Sequence, residues 1–176
     1  MPFPDFADTL VQKALLLGAA DAVPFTLDDI VFDTRTLLKC MFGCEDWGKG
    51  LTCPSRKNNV SLAEYKEMLS RYKWGVLVHA HDKHTSQRAS YEMELDAFRA
   101  GYYFAFSLSD CDLCKTCAGF DSPDATCRFP RKARPALHSV GIDIFATVKK
   151  MGLPLYTLKD DGSREEQNWY AAVFVE

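Results

Sequence analysis

The sequence predicts an α/β fold with a central mixed sheet, helices that flank the sheet, and two cysteine-rich metal-binding loops. Segments with apolar residues at helical spacing alternate with short β-branched or aromatic runs, a pattern typical of helices packed on a sheet. Two runs of strand type near the end of the chain favour a mixed sheet over a purely parallel one. All seven cysteines lie in residues 40–53 and 111–127, which defines the two loops.

The first predicted elements are a helix and a strand. Residues 4–17 carry apolar side chains at helical spacing, and Gly18 is a typical residue for the end of that helix. Residues 30–38 are rich in β-branched and apolar side chains, which predicts a strand that leads into Cys40.

A capping box marks the next helix. Ser61 is followed three residues later by Glu64, so each side chain can satisfy a backbone N–H of the first turn. The helix is predicted to end near Tyr72. The apolar run 76–78 then predicts a short strand.

The second half of the chain continues the alternation. Residues 85–100 predict an amphipathic helix, and residues 102–108 predict a strand that leads into the second cysteine loop. Residues 135–150 predict a further helix with basic residues in its last turn. Residues 155–158 and 169–175 predict the two closing strands.

Size and composition favour one cytoplasmic domain that spans residues 1–176. A hydrophobic fraction of 47% can fill a core without metal staples. The formal charge of −3 does not predict binding to nucleic acid or to an anionic membrane surface. No apolar run reaches the roughly 18 residues that a membrane-spanning helix needs. The first residues lack the basic and apolar regions of a signal peptide, so we expect a cytoplasmic protein.

The cysteines are predicted to bind metal, because disulfides are rare in a reducing compartment and clustered thiols there are typical of metal sites. Cys111, Cys114 and Cys117 are spaced as in bacterial ferredoxin runs that bind [4Fe–4S] clusters, and Cys127 follows nine residues later. Zinc sites more often pair two separate Cys-x2-Cys knuckles, of which the second is absent here. One or two [4Fe–4S] clusters are therefore expected, with zinc as the alternative.

The first cysteine loop contains Cys40, Cys44 and Cys53, so it offers three thiolates where a four-iron cluster has four irons. Either the fourth iron is open to substrate, solvent or another residue, or the two loops share ligands. In two-cluster ferredoxins a distal cysteine followed by proline serves the other cluster. Cys53, followed by Pro54, would then complete the Cys111 set, and Cys127 would join Cys40 and Cys44. A single cluster, with the other cysteines free or bound to zinc, is a further alternative.

These motifs carry a resemblance to a known family. They are Lys39-Cys-Met-Phe-Gly-Cys44, Gly48-Lys-Gly-Leu-Thr-Cys-Pro54, the triple cysteine run, Cys127-Arg-Phe-Pro130, Arg134-Pro135 and Gly141-Ile-Asp143. In this order, over residues 28–150, the chain resembles predicted metal-binding proteins of unknown function from bacteria and archaea. The resemblance implies cysteine-bound metal, of iron–sulfur type. The family pattern has an acidic residue and often a further cysteine shortly after Arg-Pro, where this chain has residues 138–140.

Four basic residues follow the last cysteine and have two interpretations. They can stabilise an anionic cluster or dock an acidic partner, or they can form an ordinary solvated segment. The residues are Arg128, Arg131, Lys132 and Arg134.

Histidines and aspartates give weaker signals. The histidines are candidate ligands, although ordinary surface or core positions explain them as well: His79, His81, His84 and His138. Three aspartates in the second loop are interpreted as loop-capping residues rather than as ligands, because iron in clusters prefers thiolate to carboxylate: Asp110, Asp112 and Asp121.

Three functions are compatible with these features. The first is electron transfer to a redox protein partner. The second is an enzyme whose open iron at Cys40, Cys44 and Cys53 binds a small-molecule substrate. The third is a zinc-stabilised interaction module. No glycine-rich phosphate loop or Ser/His/Asp signature is present.

Overall fold

A four-stranded sheet organises the part of the chain that the structure describes. The structure is a computed structural model, and it describes residues 3–56, 60–122, 124–155 and 167–176. The strands are β1 (Asp21–Thr26), β2 (Trp74–Ala80), β3 (Phe106–Leu108) and β4 (Trp169–Phe174), in the order β1-β2-β4-β3. The helices in the same residues are α1 (Asp5–Leu16), α2 (Thr36–Gly43), α3 (Leu62–Leu69), α4 (Lys83–Arg99) and α5 (Ile144–Lys150).

The α/β class is confirmed, but the sheet is not mixed. All three strand pairs in the described residues are antiparallel, with Leu77 of β2 opposite both Val23 of β1 and Ala172 of β4. The prediction of parallel neighbours came from the alternation of helices and strands. Helix α4 does return the chain so that β3 runs in the same direction as β2, but β4 lies between these two strands and runs against both.

One face of the sheet is covered by α1 and α4. Leu10 of α1 and Met93 of α4 are fully buried in one cluster with Val76 and Val78 of β2. Successive residues of a strand point to opposite faces, so Val76 and Val78 share this face and Leu77 lies on the other. Every residue of β2 is buried, so this interior strand is covered on both faces.

The opposite face is covered by α3, α5 and a short 3₁₀ turn at His138–Val140. Leu69 of α3 and Val148 of α5 belong to a second buried cluster with Leu77. Phe25 and Phe174 meet edge to face in this cluster, with ring centroids 5.1 Å apart. The flanking helices that the sequence predicts are therefore present on both faces.

Three predicted helices are confirmed with small shifts at their ends. The first ends before Gly18, whose φ of 98° closes the turn. The capping box is present, since Ser61 accepts a hydrogen bond from the Glu64 N–H and the Glu64 carboxylate accepts one from Ser61. The third helix, α4, begins after Asp82, which caps the N–H of Thr85.

The strand predicted at residues 30–38 is wrong. Phe32 makes only an isolated bridge to Ile142, and residues 36–43 form α2. Asp33 accepts a hydrogen bond from the Arg35 N–H and so bends the chain before the helix. The Leu, Lys and Met residues that follow are good helix formers, and they outweigh the short β-branched run.

The helix predicted at residues 135–150 is also wrong in its first half. Gly141, with a φ of 90°, separates the 3₁₀ turn from α5, and Asp143 caps the new helix at Ala146. The strand predicted at residues 102–108 covers only Phe106–Leu108. The closing strand is confirmed as β4.

Two strands remain, one predicted at residues 155–158 and one, β1, that the pattern does not predict. Leu155 is not in a strand, and the rest of the strand predicted at residues 155–158 lies outside the described residues. Strand β1 was not predicted because Pro24 interrupts its pattern. Proline is tolerated there because, within the described residues, β1 is an edge strand with a partner on one side only.

We expect Gly75→Ala to lower the free energy of unfolding by about 2 kcal/mol, because overpacking a filled core forces neighbours to move. A Cβ at Gly75 would lie 2.2 Å from the Val173 carbonyl oxygen and 2.4 Å from Cζ of Phe25. Urea unfolding measures the change. Gly43→Ala is the matched control, because its Cβ would meet no heavy atom within 4 Å. Equal losses in the two variants would contradict this account of the β2 packing.

Candidate metal centre

Four cysteines of the second loop line one cleft. Cys111, Cys114, Cys117 and Cys127 all contribute to its wall, and its volume is about 460 Å³. Each of the four is partly buried and none is in a disulfide. The cleft is completed from the first loop by Gly50, Leu51 and Thr52. The four thiols therefore border a common space.

Hydrogen bonds fix the shape of this loop at both ends. At its start, the Asp112 N–H donates to Oε1 of Gln87 in α4 at 2.7 Å. Near its end, Nη1 of Arg128 donates to the Thr116 carbonyl at 2.7 Å. Between them, Cys117 leads into a 3₁₀ turn at Ala118–Phe120. The loop has a defined path although it belongs to no long element.

The two cysteine loops are packed against each other at Gly119. This glycine is buried, and a Cβ there would lie 2.2 Å from the Lys49 carbonyl oxygen. Leu51 lies on the same side, with its Cγ at 3.0 Å from that position. Only a residue without a side chain permits this approach. The loops thus form one structural unit.

The three cysteines of the first loop lie in different surroundings. Cys40 lies in α2 and is 7% exposed, Cys44 follows the last residue of that helix, and Cys53 lies in a turn with its Sγ 3.0 Å from Oγ of Ser55. Burial raises the pKa of the Cys40 thiol, and the charges of Cys44, Cys53 and Asp110 raise it further. The charges of Cys44, Cys53 and Asp110 therefore act on the Cys40 thiol, although burial has the larger effect.

This arrangement bears on the pairing that the sequence leaves open. Cys127 lies with Cys111, Cys114 and Cys117 around the cleft, whereas Cys53 is coupled to Cys40. The four cysteines that line the cleft thus all come from the second loop, and which cysteines share one metal stays a prediction. Among the described residues, no three His, Cys, Asp or Glu side chains are placed to hold a single metal ion.

Positive charge lies at the edge of the cleft. Lys83, the first residue of α4, and Arg128 both line it. The N-terminus of a helix carries a partial positive charge, so the first turn of α4 adds to these cations. Four thiolates in this cleft would be partly neutralised by all three.

Arg134 has a different position from the other basic residues. It forms a bidentate ion pair with Glu94 of α4, and both side chains are about nine-tenths buried. Its guanidinium lies between the rings of Tyr91 and Phe106, at 5.4 and 5.0 Å from their centroids. Arg134 therefore anchors the segment after Cys127, whereas Arg131 is exposed to solvent.

The histidines do not form a common site within the described residues. His79 is 2% exposed, with Nδ1 at 2.7 Å from Oδ2 of Asp21 and Nε2 at 2.7 Å from Oδ1 of Asn168. His81 meets the His79 ring edge to face, with centroids 5.2 Å apart, and its Nδ1 contacts the Gln167 carbonyl. The remaining two lie elsewhere: His84 is 3.8 Å from Asp112, and His138 begins the 3₁₀ turn.

The aspartates of the second loop do not act as backbone caps in the described contacts. Asp121 pairs with Arg128 at 3.5 Å, and the carboxylate of Asp112 faces His84. Asp110 acts on Cys40, as described above.

A family model for predicted metal-binding proteins of unknown function, DUF2284, matches residues 24–175. The chain belongs to this family. Membership confirms the resemblance carried by the cysteine motifs, and the match covers both loops. Searches of curated proteins and of solved structures gave no match. No helix among the described residues of this DUF2284 protein is long and apolar enough to cross a membrane.

The residues of this DUF2284 protein fit a metal bound by sulfur. Seven free thiols are available, and thiolates select zinc, copper(I) or iron–sulfur clusters over hard cations. Two buried polar atoms near Cys111 have no hydrogen-bond partner in the described structure. They are Nε2 of Gln87, whose Oε1 accepts the N–H of the residue after Cys111, and Oγ of Ser109, two residues before Cys111. Such donors are suited to sulfur acceptors, which a loaded site would supply.

Sequence reasoning missed the face of α4 that supports this site. Gln87 and Glu94 lie seven residues apart, on the same side of the helix, and both are buried. The available signal was the small number of apolar residues in a helix that lies in the middle of the chain. The buried Gln87 and Glu94 of this helix hold neighbouring segments rather than contacting solvent.

Arg134→Met is expected to lower the free energy of unfolding by about 3–5 kcal/mol, because it leaves Glu94 buried without its cation. Thermal or urea unfolding measures the loss. Arg71→Met is the matched control, since the Arg71–Glu67 pair is exposed and such helix pairs contribute only about 0.5 kcal/mol. Similar losses in both variants would exclude a special role for the buried pair.

In the metal-free protein, iodoacetamide is expected to alkylate Cys44 fastest and Cys40 slowest. Cys44 is exposed, whereas Cys40 is buried and its pKa is raised mainly by that burial. Peptide mass spectrometry over a time course gives the rate at each site. In denaturant the rates should become alike, and equal rates in the folded protein would contradict the burial of Cys40.

Proposed function

We propose that this protein is an iron–sulfur electron carrier with one [4Fe–4S] cluster held by Cys111, Cys114, Cys117 and Cys127. The observation that carries the proposal is the shared cleft of about 460 Å³ bordered by these four thiols. Four thiolates around one zinc ion lie about 2.3 Å from the metal and enclose no such space. The room in the cleft supports a polynuclear group.

A second cluster is proposed at Cys40, Cys44 and Cys53. The electrostatic coupling of Cys40 to both other cysteines supports a common centre. The free state of all seven thiols supports a reducing, cytoplasmic setting. Iron–sulfur clusters supply reversible one-electron chemistry. The chain supplies thiolate ligands, cations at the cleft edge and a packed support that keeps the two groups side by side.

A redox protein partner is proposed to dock beside the first loop. The helix that carries Cys40 exposes Leu38, Met41 and Phe42, which are 54%, 41% and 82% exposed. Exposed Lys39 lies among them. An apolar patch with a positive charge beside a redox centre suits a partner that carries an acidic rim.

An enzyme is the second candidate, and one observation favours it. The first loop has three cysteines, and exposed Cys44 gives solvent or a small molecule access to that group. Asp110 is the additional group that acts on Cys40. In this alternative, a substrate would bind at the position that no thiolate occupies.

Anaerobic purification with iron, sulfide and zinc counted per chain tests the proposed function. Two four-iron clusters give equal amounts of iron and acid-labile sulfide, together with little zinc. Zinc with negligible sulfide would overturn the iron–sulfur proposal in favour of a zinc-stabilised module. A substrate-dependent spectral change that Cys44→Ser abolishes would favour the enzyme.

Paired Cys→Ser variants test which cysteines act together. The double variant Cys40→Ser/Cys53→Ser is expected to lose about half of the iron and sulfide, because both residues belong to one group. Cys53→Ser/Cys127→Ser is expected to lose nearly all of both, because it damages both groups. If the loops exchange ligands, Cys40→Ser/Cys53→Ser would also lose nearly all iron and sulfide, because its two residues would then belong to different groups. Cys53→Ser/Cys127→Ser damages both groups in either arrangement and so gives the reference for complete loss. Thr116→Ser, in the exposed part of the second loop, is the control for loop substitution.

A further inference from the structure

Gln87 makes contact with the second cysteine loop from the body of the fold. It lies in α4 and is 2% exposed. Its Oε1 accepts the N–H of Asp112 at 2.7 Å, the residue directly after Cys111. The side-chain amide is therefore held against the backbone between Cys111 and Cys114.

The other half of the same amide is unsatisfied. Nε2 of Gln87 is buried and has no hydrogen-bond partner in the described structure. The contact to the Asp112 N–H fixes which end of the amide is the oxygen, because only an oxygen accepts there. Two N–H donors of Gln87 are thus left in a buried place beside the cysteine loop, where an unsatisfied donor is costly.

Ser109 presents a second donor of the same kind. Its Oγ is fully buried and without a partner in the described part of the chain, two residues before Cys111. The Ser109 N–H donates to the Pro135 carbonyl at 2.9 Å, which fixes this residue at the end of β3. Two unrelated elements, α4 and the end of β3, thus bring unused donors to the neighbourhood of Cys111.

We propose that Gln87 is a positioning residue of the Cys111 centre, with Oε1 holding the loop backbone and Nε2 donating a hydrogen bond to a sulfur of that centre. The proposal rests on the proposed function, since the acceptor is a cluster sulfur or its thiolate ligand. Hydrogen bonds to sulfur stabilise the reduced, more negative state of a cluster and so raise its reduction potential. Gln87 accordingly sets the potential of one centre and leaves the Cys40 group unaffected.

Wild-type protein provides the first test and needs no variant. Protein labelled with nitrogen-15 at glutamine side chains is purified anaerobically, its iron and sulfide are counted, and the reduced protein is examined by pulsed EPR. A nitrogen-15 coupling to the Cys111 centre is expected. Absence of iron and sulfide overturns the proposed function, whereas a normal cluster without the coupling overturns the role of Gln87 alone.

Two substitutions then separate the two halves of the amide. Gln87→Glu keeps an acceptor for the Asp112 N–H and removes the donor, and Gln87→Met removes both at similar volume. Both are expected to shift the potential of the Cys111 centre to more negative values and to abolish the coupling. Ser90→Ala is the matched control, because Ser90 is equally buried in α4 and bonds only within its own helix in the described contacts.

The outcomes of the variants are distinguishable. An unchanged potential in both Gln87 variants, with iron content intact, means that water satisfies Nε2 and overturns the proposal. A shift in Gln87→Glu but none in Gln87→Met reflects the added charge and also overturns it. If Gln87→Met fails to assemble the cluster, the nitrogen-15 coupling in the wild-type protein and its loss in Gln87→Glu still decide.

Discussion

The position of the second cysteine loop depends on the buried ion pair between Glu94 and Arg134. Glu94 also accepts hydrogen bonds from the N–H and the hydroxyl of Ser107 in β3, at 2.7 and 2.6 Å. One carboxylate therefore joins α4, the edge strand that enters the loop and the segment that leaves it. A charged pair in such a place is costly to desolvate, and it is tolerated only because every oxygen of Glu94 has a partner. This makes the start and the end of the loop meet at one fixed point.

Contacts with α4 and packing at Gly119 position the rest of the two cysteine loops. Gln87 is seven residues before Glu94 and holds the loop just after Cys111, so α4 contacts both ends of the segment. The loop then turns back over Gly119, where the first loop approaches too closely for any side chain. The four cysteines that line the cleft all come from the second loop, and the first loop meets them at Gly119.

The sequence predicted the parts of this protein that depend on local rules. The helices α1, α3 and α4 have capping or stop signals, and the two cysteine loops are visible from spacing alone. The predictions for residues 30–38 and 135–150 are wrong because Asp33 and Gly141 interrupt the pattern at single positions. The support of the site was not predictable in the same way. Glu94 and Arg134 are 40 residues apart, and only the packing of α4 on the sheet brings them together.

The cysteines of the two loops differ in a way that suits the proposed electron carrier. The Cys111 group is partly buried, and its cleft is lined by the cations Lys83, Lys115 and Arg128 together with the carboxylates Asp46 and Asp112. The first group includes exposed Cys44, and α2 beside it presents an apolar surface to solvent. A carrier needs an enclosed centre whose potential the protein controls, and a surface where a partner can approach closely. In the proposed carrier, the packing of the two loops at Gly119 would keep the two centres side by side, so that electron exchange at the surface would need no opening of the fold.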